Sequence, residues 1–139
     1  MSAEIQTHFG RSKAGRLVCG WVVFGKHTVV VKAHDDGTFM LVQVNYFEVP
    51  MERSEITDLS QFLATAATSS LDDHYVRWLR ISSQGEDWFA NIWRAEREVG
   101  AWFKEFGSGI GWLSMPPEVA TIIREIIETL LAAELPPTQ

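Results

Sequence analysis

The apolar pattern of this chain changes period twice, and that constrains its fold more than any other feature. Residues 16–49 carry β-branched and aromatic runs broken by turn residues, after which Ile56, Leu59, Phe62, Leu63 and Ala66 fall at helical spacing. From residue 74 the strand-like runs return and end at Pro116-Pro117. Beyond them Val119, Ile122, Ile123, Ile126, Ile127, Leu130 and Leu131 recur at i, i+3, i+4 and i+7. Two rounds of short strands, each closed by an amphipathic helix, point to an α+β domain made of two similar halves.

In the first half the pattern predicts strands over Arg16–Phe24, His27–Lys32, Thr38–Val44 and Tyr46–Val49, the last stopped by Pro50, and a helix over 54–67. Gly25-Lys26 and Asp35-Asp36-Gly37 are the turns, because Asp and Gly accept the backbone angles that tight hairpins need. In the second half His74–Ser82 alternates, with Tyr75, Leu79 and Ile81 on one side and Trp78 and Arg80 on the other, although Arg77 breaks the pattern. Ser83-Gln84-Gly85 and Gly107-Ser108-Gly109 read as turns around strands at Trp88–Arg94, Ala101–Phe106 and Gly111–Met115. Pro117 suits the first turn of the last helix, where its missing N–H is not needed. Residues 86–106 also fit a helix, with Trp88, Ile92, Ala95, Val99, Trp102, Phe103 and Phe106 on one face. The symmetry of the halves favours strands there, and the sequence leaves both drawings open. The expected architecture is α+β: two ββββα repeats, at 15–67 and 74–134, whose antiparallel curved sheets are each backed by a helix. They pack as one domain over 1–139, with flexible ends at 1–14 and 135–139.

Composition narrows the function. A chain of 139 residues is long enough to bury a core without staples, and its single cysteine, Cys19, excludes a disulfide scaffold. Cys19 sits in an apolar run and reads as a small core hydrophobe. No segment has the form of a signal peptide or a membrane span, so an intracellular protein with no membrane partner is expected. The four histidines, His8, His27, His34 and His74, are scattered, and neither a metal nor a cofactor is expected. Asp72-Asp73-His74 reads as capping. Gly25-Lys26-His27-Thr28 lacks the upstream glycine of a phosphate loop and precedes a strand. Ser69, Ser70 and Ser108 lack a nucleophile context, and Arg94, Glu96, Arg97 and Glu98 read as a solvated face. No enzymatic activity is expected. The net charge of −6 argues against a strongly electrostatic nucleic-acid binder, yet residues 1–33 hold Arg11, Lys13, Arg16, Lys26 and Lys32 against Glu4 alone. Six tryptophans in 139 residues call either for a heavily packed core or for stacking surfaces.

The hairpin from Lys26 to Val42 resembles the central hairpin of a PUR-alpha repeat: a basic residue, an apolar strand with Lys32 near its end, a polar-Gly turn, and an aliphatic strand opened by Phe39. The stretch from Gly107 to Glu118 is similar to the strand-to-helix passage of small transcriptional coactivators that bind single-stranded DNA. Whirly proteins share the duplicated four-strands-plus-helix unit. The resemblance covers residues 15–133, is topological more than literal, and departs from the family in its acidic charge. It implies single-stranded DNA or RNA as partner, bound on open sheet faces, and a homodimer.

Period-two alternation then sorts the faces. In the second half Leu79, Ile81, Ala90, Ile92, Ala101 and Phe103 are expected to meet the helix, leaving Trp78, Arg80, Asn91, Trp93, Trp102 and Lys104 outward. In the first half the outward set is Thr28, Val30 and Lys32 with Phe39, Leu41 and Gln43. Lys32, Phe39, Gln43 and the six outward residues of the second half are the candidate nucleic-acid contacts, the aromatics for stacking and the cations for phosphates. The alternative is an acidic protein-interaction module, such as a chaperone, adaptor or assembly subunit, docking a protein partner on its tryptophan-rich surface and the apolar stripe of helix 118–134.

Overall fold

The computed structural model describes residues 5–81, 88–105 and 108–134. The expected turn at 83–85, the 106–107 junction and the tail 135–139 lie outside the described residues. The order is β1 (Ile5–Arg11), β2 (Leu17–Phe24), β3 (His27–Ala33), β4 (Phe39–Gln43), β5 (Phe47–Met51), α1 (Arg53–Thr68), β6 (Val76–Ile81), β7 (Trp88–Arg94), β8 (Val99–Glu105), β9 (Ser108–Met115) and α2 (Pro117–Glu134). A short 3₁₀ turn, Leu71–Asp73, joins the halves. The strands form two antiparallel meanders, β1-β2-β3-β4-β5 and β6-β7-β8-β9. The fold is thus α+β with two sheets, each followed by a helix, and residues 88–94 and 99–105 are strands rather than one helix.

One sequence expectation fails at the start of the chain. Residues 5–11 are not a flexible end but an edge strand, paired with β2 from Ile5↔Phe24 to Arg11↔Leu17. The segment Ile-Gln-Thr-His-Phe-Gly-Arg has almost no apolar run, so side-chain pattern does not announce it. Backbone hydrogen bonds to β2 hold it instead, which an edge strand requires on one side only.

The hydrophobic stripes behave as the alternation predicts. Leu79, Ile81, Ala90, Ile92, Ala101 and Phe103 are all buried, as are Ile56, Leu59, Leu63 and Ala66 of α1 and Val119, Ile123, Ile126, Ile127 and Leu130 of α2. The stripe of α2 is therefore taken up by the chain's own core and is not an open docking seam. Arg77, which breaks the alternation of β6, lays its guanidinium 4.6 Å from the centre of the Tyr75 ring and donates to the Val76 carbonyl. The cation rides on an aromatic face at the sheet margin rather than entering the core. Tyr75 itself is buried, and burial foremost raises its phenol above the usual value.

The helices are exchanged between the halves. α1 lies against β6, β7 and β8 of the second sheet, whereas α2 crosses β2 and β3 of the first, and the helices pack on each other. Arg53, at the start of α1, donates to the Leu131 carbonyl near the end of α2, 3.1 Å away, so the two run antiparallel. Gly20 of β2 makes the seat of α2: a Cβ there would stand 2.7 Å from Ile126 Cγ2 and 3.0 Å from the Phe9 ring. Phe47 of the first sheet packs tilted against Phe103 of the second, the ring centres 5.0 Å apart, closing one core from both halves.

Two arginines finish this exchange. Neither helix has a basic residue in its last turn, where exposed carbonyls and the negative end of the dipole favour one. Arg94 of β7 supplies it for α1: Nη1 donates to the Ala66 carbonyl at 3.2 Å and to the Ala67 carbonyl at 2.8 Å. Arg53 does the same for α2. Arg94 is therefore a half-buried helix cap, not part of a solvated face.

Two predictions follow from the exchanged packing. Arg94→Met is expected to cost about 2 kcal/mol in urea unfolding, since it removes the charged donor from the Ala66 and Ala67 carbonyls and leaves Ala66 only the Ser69 N–H. Gly20→Ala is expected to cost roughly 1–3 kcal/mol through overpacking, and Ile126→Ala, which removes the crowding Cγ2, should cost less in the Gly20→Ala chain than in the parent. Additive losses in that pair would contradict the seat of α2 on Gly20.

Candidate nucleic-acid interface

The outer side of the second sheet is left uncovered by both helices, and the strand register arranges it in rows. Trp78 pairs with Asn91 and Asn91 with Trp102, so the three lie side by side across β6, β7 and β8. Arg80 pairs with Phe89 and Phe89 with Lys104 in the next row, and Val76, Trp93 and Gly100 form the row on the other side. The nine outward positions of β6, β7 and β8 hold two cations and no carboxylate, in a chain of net charge −6, and Glu98, just before β8, accepts from Ser114 at the Gly100 margin of the face.

The middle row is aromatic at both ends. Trp78 is 61% exposed and meets Trp102 edge-on, the ring centres 6.2 Å apart and the planes at 89°. An edge-to-face pair satisfies the quadrupoles of both rings. Asn91 lies between them with Oδ1 buried and without a hydrogen-bond partner among the described residues. Val76, Trp78 and Phe89, three of the seven large apolar side chains left exposed among the described residues, sit on this one face. Concentration of that kind marks a contact surface, whereas scattered apolar side chains mark nothing.

Trp93 is placed by a glycine. It pairs with Gly100 across β7 and β8, and its indole lies so flat on that residue that an added Cβ would come within 2.2 Å of the ring. The indole covers the backbone that glycine leaves open and becomes half-buried itself. Glycine here sets the tilt of an aromatic plane. Gly100→Ala is expected to lift Trp93 off the sheet and red-shift its emission, with the circular dichroism of the fold preserved. An unshifted emission spectrum would mean that Gly100 does not set the ring.

The residues expected at the interface thus divide. Trp78, Arg80, Asn91, Trp93, Trp102 and Lys104 are brought together on one open face. Lys32 is exposed, but on the outer side of the first sheet, where its register partners are Cys19 and Met40. Phe39 and Gln43 are not on an open face: they are 0% and 3% exposed, and Leu41 beside them is core as well. The register of β3 and β4 gives the reason. Ala33 pairs with Phe39, and Thr38 belongs to the loop, where its N–H and hydroxyl both donate to Asp36 Oδ1. Those bonds, the hydroxyl's foremost, lower the Asp36 pKa from the ordinary carboxylate value. Because antiparallel partners share a face, Phe39 follows Ala33 inward and Met40 follows Lys32 outward.

Two outward aromatics were missed from sequence. Phe89 follows from the same alternation once β7 is fixed. Trp21, between inward Val22 and the buried Gly20, faces outward from the first sheet and stacks on His8 with ring centres 5.3 Å apart. Cys19, two residues before Trp21, is half-buried on that same outer side rather than in the core. Among the described residues no group of three or more His, Cys, Asp and Glu is arranged to hold a metal ion, and no helix is long and apolar enough to cross a membrane.

Fold and face together define an α+β domain of two antiparallel sheets with one aromatic, cationic sheet surface left open. No protein-family model, curated protein or solved structure matches the chain.

Proposed function

We propose that this protein binds single-stranded nucleic acid, DNA or RNA, on the outer face of its second sheet. The observation that carries the reading is the row Trp78–Asn91–Trp102, flanked by Arg80 and Lys104 at the end of the face away from Glu98. Unpaired bases offer flat apolar faces that stack on indoles for ~1–3 kcal/mol each, and a sheet surface presents such rings at strand spacing. The two cations follow the phosphates. Duplexes hide their base faces, so the reading is specific to unpaired strands.

The charge balance sets the expected salt response. Two phosphate contacts at about −0.7 per contact give a slope of log K against log salt near −1.4, shallow for a nucleic-acid binder. Stacking then carries most of the affinity. Fluorescence anisotropy with labelled single-stranded oligonucleotides, read beside intrinsic tryptophan quenching, tests this directly. Binding with quenching is expected, with Trp78→Ala weakening it about 10-fold and Lys104→Ala flattening the salt slope by about one contact. Absence of binding at low salt, where the electrostatic contribution is largest, would overturn the reading.

A further inference from the structure

The outer side of β1 is a sheet edge that the usual devices do not protect. Sheets discourage further pairing with prolines, charged side chains or bulges along their edges. The other edge of the first sheet, β5, carries Glu48 and Pro50, and the β6 edge of the second carries Arg77 and Arg80. The β9 edge contains Gly109 and Gly111, which weaken a strand. β1 has no carboxylate, lysine or arginine from Ile5 to Gly10, and its one irregularity comes at its end, between Gly10 and Arg11. Gln6, Thr7, His8 and Phe9 are all exposed, Phe9 to 41%.

The strand is complementary to itself. A two-fold axis at His8, perpendicular to the sheet, pairs all seven residues with an antiparallel second copy, Ile5 opposite Arg11 and Thr7 opposite Phe9. Antiparallel partners share a face, so the inner side of one copy continues the inner side of the other. On that side Phe9 lies opposite the second copy's Thr7 and diagonal to its Phe9, within the reach of aromatic side chains. On the outer side the two His8 rings meet at the axis, each stacked on its own Trp21 with ring centres 5.3 Å apart. The antiparallel order also sends the two Arg11 side chains to opposite ends of the pair, where a parallel copy would set them side by side.

What Arg11 meets at that end has the opposite charge. Ile5 lines a hollow of about 340 Å³ with Phe24, Ser114, Pro116 and the exposed Glu118 among its other walls. Arg11 is on the inner side, as is its register partner Leu17, which packs on the core. Opposite Ile5 of a second copy it therefore comes to the rim of this hollow and to the Glu118 carboxylate. Its Nη1 donates to the Gly15 carbonyl at 2.7 Å, which uses one of the five N–H donors of a guanidinium.

We propose that two copies of this chain join through β1, antiparallel and in register about His8, into one continuous sheet with an Arg11–Glu118 pair at each end of the junction. The junction uses no residue of the row Trp78–Asn91–Trp102.

Analytical ultracentrifugation of the full chain over a concentration series, without oligonucleotide, reads the association, and circular dichroism reports that each variant is folded. A monomer–dimer equilibrium is expected. His8→Lys and His8→Glu, at an exposed position, should each weaken it about 5-fold, because each sets like charges opposite one another at the axis. Mixing the two variants should restore it as a mixed dimer. Glu118→Arg, outside the strand, should weaken it as well, and Arg11→Glu in the same chain should recover it. A protein that stays monomeric up to millimolar concentration would overturn the proposal and leave the edge to a strand of another protein. Association of His8→Lys or of Glu118→Arg equal to that of the parent, or a mixture of the His8 variants no stronger than either alone, would overturn it too.

Discussion

The seating of α2 on Gly20 of β2, and of α1 on the second sheet, is the constraint from which the rest of this structure follows. A four- or five-stranded sheet with one apolar face must be covered, and here each half covers the other. The two helices then meet along their length, and their carbonyl ends fall within reach of Arg94 and Arg53, which come from distant parts of the sequence. Local capping by a basic residue in the last turn is absent from both helices, so the charged caps come from the tertiary structure, beside the hydroxyls of Thr68 and Ser69 that cap α1 locally. With both helices on the inner sides, the outer face of the second sheet stays open, and the tryptophan row exists because nothing is packed on it.

That open face also explains how an acidic protein can present a cationic, aromatic surface. Among the described residues most carboxylates lie in turns, on helix surfaces and at helix starts, with Glu48 and Glu105 in strands, while alternation in β6, β7 and β8 places Arg80 and Lys104 in one row at the end of the face away from Glu98. Net charge describes the whole molecule; a ligand lying on one sheet face meets the local pattern first. The Gly100–Trp93 contact shows the same separation of scales. A residue with no side chain decides how an indole is presented.

Much of this was legible in the sequence, and the failures have definite causes. Leu79, Ile81, Ala90, Ile92, Ala101 and Phe103 could be assigned inward from period-two alternation alone, because that sheet has one dry face and one open face. The same rule misplaced Phe39 and Gln43, because the loop between β3 and β4 includes Thr38, and one residue of register reverses every side chain beyond it. β1 left no signal, since an edge strand held by its backbone needs no apolar run. Arg94 reads as a surface charge beside Glu96 and Arg97 until α1 is seen to end above it. The exchange of helices is invisible for a simple reason: an amphipathic stripe states that it will be buried, not against which sheet.

The exchange has a consequence for how the chain is made. The first sheet is complete at Met51, but the helix that dries its inner face, α2, is not complete until Glu134. At about 5–20 residues per second, that face waits on the order of 4–17 s after its strands have been polymerised. During that interval Val22, Val29, Val31 and Leu41 belong to a surface with no lid, and α1, the nearest helix in sequence, is reserved for strands that do not yet exist. A vectorially growing chain of this topology leaves its older sheet uncovered until α2 has been made.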